Sequence, residues 1–170
     1  MLTANEILLQ RSIGNIVIEP FNEAQMNPNS YNVRLADELL IYEDAILDPH
    51  HKPRTKALRI PPEGLVLQPG QLYIGSTVEY TETQNLIPCI DGRSSVGRLG
   101  IFLHVTAGFG DVGFRGRWTL EIAVLRPVRV YPGMEIGQIY YEVPDGEITQ
   151  TYAGRYQDQL EATASRYFEG

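Results

Sequence analysis

A chain of 170 residues that is 43% hydrophobic is long enough for one domain with a substantial core, and its formal charge of −7 argues against broad electrostatic binding to DNA or RNA. Its single cysteine, Cys89, excludes an intramolecular disulfide, no basic leader followed by a long apolar run opens the sequence, and no stretch approaches the ~18 uninterrupted apolar residues of a membrane span, so a cytoplasmic protein without membrane or nucleic-acid partners is expected. A nucleotide remains compatible with the charge, because its phosphates need only a few convergent donors or a divalent cation.

Thr3-Ala4-Asn5-Glu6 has the spacing of a capping box and runs into Ile7, Leu8 and Leu9, which predicts a helix over residues 4–12, the longest in the chain. Short apolar runs follow, at 16–18, 31–35, 39–42, 65–67, 72–78, 86–90, 101–105, 117–125, 128–130 and 136–143, and each reads as a strand. Pro69-Gly70, Asp91-Gly92 and Pro132-Gly133 supply turns between them, as in a sandwich, barrel or jelly-roll-like fold. Pro49 and Pro53 make residues 48–54 a surface loop. Residues 1–170 are read as one domain, in which 145–170 form a tail with little apolar periodicity that could order on a partner subunit or a ligand. The fold class expected is therefore all-β, with one short N-terminal helix.

Three segments carry residues suited to chemistry. In Asp91-Gly92-Arg93-Ser94-Ser95-Val96-Gly97-Arg98-Leu99-Gly100, glycines frame two hydroxyls and two guanidiniums, a combination that can cradle phosphate. The plainer alternative is a turn into a helical stub capped by Ser94 or Ser95, and the two are compatible because a helix N-terminus attracts anions. The stretch from His104 to Phe114 is a strand end breaking into a Gly-rich turn that displays Asp111 between aromatics. Asp111 either steadies that turn with Phe114 in the core, or the pair meets a sugar and base. In Arg117-Trp118-Thr119-Leu120-Glu121-Ile122-Ala123-Val124, alternation puts the large apolar residues on one face and Glu121 on the other, as a solvated carboxylate or as a proton-handling group.

Together these segments resemble the dCTP deaminase and dUTPase superfamily, from Ser30-Tyr31-Asn32-Val33-Arg34-Leu35 through Gly92-Arg93-Ser94-Ser95 to Ser165-Arg166. Arg98-Leu99-Gly100, His104-Val105-Thr106-Ala107 and Thr119-Leu120-Glu121 are similar to the additional motifs of its deaminase branch. The resemblance implies a β-clip or distorted jelly-roll fold and a homotrimer with active sites between subunits. It implies deamination of dCTP to dUTP and ammonia without zinc, Mg²⁺ bound through the triphosphate, and dTTP as an inhibitor. Glu121 would activate water, with Ser94, Arg98 and the Ala107 carbonyl supporting it. His104, Val105 and Thr106 would belong to the substrate-binding site, Asp111 and Phe114 would meet the sugar, and Arg93, Ser95, Tyr152, Arg155 and Gln159 the phosphates. A zinc deaminase would need H-x-E and P-C-x-x-C ligands, and Pro88-Cys89 has no second cysteine. His50-His51 reads as an incidental pair in a loop, and Cys89 as core.

Departures from the family pattern sharpen the expectations. Asn32 stands where most relatives carry aspartate, Gly110 and Val112 replace an apolar residue and a proline around Asp111, and Glu161 takes a position where glycine is common. Ala107-Gly108-Phe109 is closer to members that also hydrolyse dUTP to dUMP and pyrophosphate, Asp111 then orienting a second water. A nucleotide-binding regulator without turnover is the remaining alternative.

Overall fold

Thr3 is extended and its hydroxyl accepts a hydrogen bond from the Glu6 amide at 3.4 Å, so the predicted capped start is present and helix α1 spans Ala4–Ser12. The computed structural model describes residues 1–104 and 107–170, and the expectations for Val105 and Thr106 fall outside the described residues. After α1 come strands β1 (Ile16–Glu19), β2 (Met26–Asn27), β3 (Ser30–Arg34), β4 (Glu38–Tyr42), β5 (Thr55–Arg59), β6 (Leu65–Leu67), β7 (Tyr73–Thr83) and β8 (Ile87–Gly92). A one-turn helix α2 (Ser94–Gly97) leads to β9 (Ile101–Leu103), β10 (Arg115–Val124), β11 (Val128–Val130) and β12 (Glu135–Glu142). The all-β expectation holds, and α1 is the longest helix among the described residues.

The strands form a larger sheet in the order β5-β4-β7-β10-β9 with β1 also on β7, a sheet β2-β3-β12-β8, and the pair β11-β6. Along β10, Trp118, Leu120, Ile122 and Val124 are buried while Arg117, Thr119, Glu121 and Ala123 are only half-buried. The core face also takes Tyr31, Leu35, Leu39, Ile90, Ile139 and Tyr141 from the other strands. Full burial of a side chain such as Leu120 or Ile122 is worth ~1.5–3 kcal/mol, so this face fixes which way Glu121 points.

The pairing of β10 with β7 is irregular where it matters. Arg117 stands opposite Tyr80 but Thr119 opposite Ser76, so β7 sets Thr77, Val78 and Glu79 against the single residue Trp118. The Thr77 hydroxyl accepts from the Trp118 amide at 2.9 Å and donates to the Glu79 carbonyl at 2.7 Å, satisfying groups that the regular ladder leaves unpaired. β7 also runs past the apolar stretch that signals it, because its second half buries Glu79, Thr81 and Thr83. Glu79 is held by Arg34 at 2.7 Å, and Thr81 accepts from the Trp118 indole at 2.9 Å. No described helix is long and apolar enough to cross a membrane.

Candidate functional site

Glu121, paired with Ile74 of β7, opens onto a cavity of about 350 Å³. Thr119 and Trp118 of β10 line it beside Glu121, and Ile74 and Leu72 contribute its apolar side. The loop between β9 and β10 adds His104, Ala107, Asp111 and Phe114. The tail adds Tyr152, Tyr156, Gln159, Thr163 and Ser165, and Tyr42 of β4 completes the wall. Of the residues singled out from sequence, the structure therefore gathers Glu121, His104, Ala107, Asp111, Phe114, Tyr152 and Gln159 around one hollow.

Phe114 belongs both to the core and to the cavity wall. It is buried, tilted against Trp118 with ring centroids 5.0 Å apart, and it meets Tyr152 edge-on at 5.9 Å while still lining the cavity. Asp111 is exposed at the rim, and its backbone carbonyl, accepting from the Phe114 amide at 3.1 Å, closes the turn. Gly110 makes this packing possible, since a Cβ there would sit 2.7 Å from the Trp118 ring. An apolar side chain at 110 would be expelled, which accounts for the departure noted in the sequence.

The loop leaves β9 through His104, whose φ of 44° is left-handed and whose amide donates to the Glu121 carbonyl at 3.2 Å. Burial holds the His104 imidazole below its usual range, with the Glu121 carboxylate pulling the other way. Among the described residues, both of its ring nitrogens are buried without a hydrogen-bond partner, as is Oε1 of Gln159. An orphaned buried polar atom costs ~1–3 kcal/mol, so two such side chains on one cavity mark a place where a polar ligand or water belongs.

The tail reaches the cavity by pairing with β10. Gln159 forms a parallel bridge with Gly116, its backbone carbonyl accepts from the Arg117 amide at 2.8 Å, and its side-chain amide donates to the Arg117 carbonyl at 2.8 Å. Beyond it, the Thr163 amide donates to the Thr119 hydroxyl at 3.2 Å and the Ser165 amide to the Tyr42 hydroxyl at 3.0 Å. Sequence reasoning missed Tyr42 and Thr163, which carry no motif of their own, and used Ser165 only to bound the family resemblance. It read Trp118 only as core, and passed over Thr119 and Tyr156 although both stand beside residues it chose.

Other assignments are not brought together within one chain. Ser94, Ser95 and Arg98 are exposed on and beside α2 and do not line the cavity, nor does Arg93. Neither serine caps the stub: Arg93 occupies the N-cap position and no side chain bonds there, because the backbone carbonyl of Arg93 receives the Val96 and Gly97 amides. Arg155 is also outside, its guanidinium donating to the Arg166 carbonyl at 2.5 Å and to that of Gly170. The strand predicted to reach 105 ends at Leu103, where the chain turns through His104.

A family model described as dCTP deaminase-like matches residues 1–143. The chain belongs to the dCTP deaminase-like family. Among its relatives, a "dCTP deaminase, dUMP-forming" of Hathewaya histolytica is 49% identical over 169 residues, covering 99% of this chain and 98% of the relative. One of Clostridium acetobutylicum with the same name is 56% identical over 151 residues, covering 88% and 87%. Among solved structures, the 2′-deoxycytidine 5′-triphosphate deaminase from Agrobacterium tumefaciens superposes with a TM-score of 0.65 at 22% identity, over 84% of this chain and 47% of that one. A Staphylococcus bacteriophage 80alpha dUTPase with dUPNHPP gives a TM-score of 0.50 at 11% identity, over 83% and 89%. These likenesses establish the dUTPase-like fold class inferred from the motifs.

Proposed function

We propose that the protein deaminates dCTP and hydrolyses the resulting dUTP, releasing ammonia, dUMP and pyrophosphate. The observation that carries the reading is Glu121, turned by strict alternation onto a cavity that also takes the buried polar side chains of His104 and Gln159. Sequence reasoning favoured a product of dUTP with dUMP formation as the alternative, and the names of the relatives favour the alternative.

Glu121 takes a proton from water as the oxygen adds to C4 of cytosine and delivers it to N3; it then takes the second proton from the new C4 hydroxyl and hands it to the amine, which leaves as ammonia. Ser94 and Arg98 hold that water and the Glu121 carboxylate, with the Ala107 carbonyl accepting from the water. Asp111 contacts the deoxyribose and orients a second water for the α-phosphate, while Phe114 packs on the sugar. Arg93, Ser95, Tyr152, Arg155 and Gln159 bind phosphate oxygens. The chemistry is zinc-independent, since the sequence lacks the zinc deaminase ligands.

Mg²⁺ takes oxygen donors and retains several waters, and it is expected here through the substrate phosphates. Held through the triphosphate, the ion would neutralise polyphosphate charge. Because Ser94 and Arg98 stand outside the cavity of their own chain, the complete site is proposed to form between copies in a homotrimer. β9 ends its sheet beside α2, with Leu99, Phe102 and Leu125 exposed, an apolar edge suited to a second copy. Binding of dTTP in the same cavity as an inhibitor is part of this reading.

Identifying the products from dCTP with Mg²⁺ tests the proposal. dUMP with pyrophosphate is expected; accumulated dUTP removes the second step, and no turnover of either nucleotide leaves a silent binder.

A further inference from the structure

Arg93 does not hang free from its loop. Its Nη1 is 2.5 Å from Oε2 of Glu135, the first residue of β12, and 3.5 Å from the Glu135 carbonyl. The same Oε2 accepts from Nδ2 of Asn32 at 3.0 Å. Asn32 is buried in β3, and its Oδ1 accepts from the Asn27 amide at 2.7 Å. Its orientation is therefore fixed from both sides, because a carboxylate can only accept and an NH₂ group only donate. Behind it, the Gln25 side chain donates to the Asn32 carbonyl at 2.7 Å and to the fully buried Glu79 at 3.1 Å, and Glu79 is paired with Arg34.

The charges of this network balance in two pairs, Glu79 with Arg34 and Glu135 with Arg93. Asn32 bonds Glu135 directly, is linked to Glu79 only through Gln25, and is neutral. An aspartate at 32 would place a third carboxylate within about 3 Å of Glu135 with no cation of its own. The pair of Arg93 and Glu135 engages Nη1 of a guanidinium that has five N–H donors, so its other donors are open to an anion.

We infer that Glu135 is a positioning residue that holds the Arg93 guanidinium ready for the substrate triphosphate, and that it can do so because Asn32 is uncharged. This rests on the reading of Arg93 as a phosphate ligand. A free arginine must be ordered when phosphate arrives, whereas one already held by a carboxylate on a strand gives up less freedom. The pair is only about one-third exposed, at 30% for Arg93 and 33% for Glu135, so solvent screens it incompletely. Glu135 carries none of the motifs that drew attention to the other residues, and only the distances reveal it.

The test is steady-state turnover of dCTP by the full chain carrying Glu135→Gln, Asn32→Asp, both together, Arg93→Ala, and Arg93→Ala with Glu135→Gln. Glu135→Gln and Asn32→Asp should each raise KM about tenfold with kcat unchanged. The double variant N32D/E135Q exchanges amide and carboxylate across the same contact, and should return KM to within about threefold of wild type, a rescue that damaged folding would not give. On the Arg93→Ala background, Glu135→Gln should add nothing. A further rise in KM there, or an unchanged KM in Glu135→Gln where Arg93→Ala raises it, overturns the inference. If Arg93→Ala itself leaves KM unchanged, the phosphate role of Arg93 fails and the inference with it, an outcome distinct from the failure of Glu135 alone.

Discussion

The base proposed for the reaction, Glu121, is half-buried between the fully buried Leu120 and Ile122 and lines the cavity. Glu121→Gln keeps the shape and hydrogen-bonding reach of the side chain but cannot take a proton. Ammonia release from dCTP should fall ~10²–10⁴-fold while nucleotide affinity stays close to wild type, and calorimetric binding alongside the rate assay checks both. Its neighbour His104 sets a pH limit on the fold. Burial keeps the folded imidazole below its usual value, so the unfolded chain takes up that proton first as the pH falls through about 6.5. The contribution of the neutral ring to stability is complete above that pH and is lost progressively below it. His104→Asn should flatten the fall in Tm between about pH 7 and about pH 5.5 relative to wild type, and an identical slope in both proteins would refute it.

The parts of the structure that were legible in the sequence are those in which one local pattern decides the outcome. β10 was readable because its period of two is unbroken from Trp118 to Val124, and α1 because its cap is written in adjacent residues. β5 was not, because Thr55–Arg59 is a largely exposed edge strand with two charged residues in five and shows no apolar face. The second half of β7 was missed because it buries Glu79 and Thr81, whose partners Arg34 and Trp118 are remote in sequence. The tail was read as able to order on a partner subunit or a ligand, and instead it pairs with β10 of its own chain, through backbone bonds that composition cannot announce. The exposed Arg115–Asp158 pair, at 2.5 and 3.0 Å, adds little to this docking, since such pairs are worth ~0–1 kcal/mol. Gly116 matters more. Its φ of 144° is one that residues with a Cβ rarely adopt, and a Cβ there would lie 2.8 Å from the Gln159 carbonyl. Gly116→Ala should therefore loosen the tail while the sheets remain: trypsin should cut faster after Arg155 and Arg166, and KM for dCTP should rise about tenfold. Unchanged protection of both arginines would show that the tail is held by something other than this bridge.

At the scale of the whole molecule, the sequence put Ser94 and Arg98 with Glu121, yet in one chain only Glu121 lines the cavity. Resemblance supplied the intersubunit site, but which residues would face which chain depends on the packing of copies, and no local pattern carries that. If Glu121 of one protomer works with Arg98 of the next, two inactive proteins should restore each other. Glu121→Gln and Arg98→Ala trimers would each be defective at every site. In a mixed ring, any interface that joins the intact Glu121 of one chain to the intact Arg98 of its neighbour regains both groups. Random mixing in equal amounts puts three-quarters of trimers in mixed form with one such interface in three, so activity should recover to about a quarter of wild type. Co-expressing the two variants under different tags, purifying through both tags and measuring ammonia release gives the answer. Because that selection discards the unmixed rings, the recovered fraction should then approach about a third. Recovery no greater than the average of the two parents would mean that Arg98 serves its own chain, which would require the α2 segment to move to the cavity that it does not reach here.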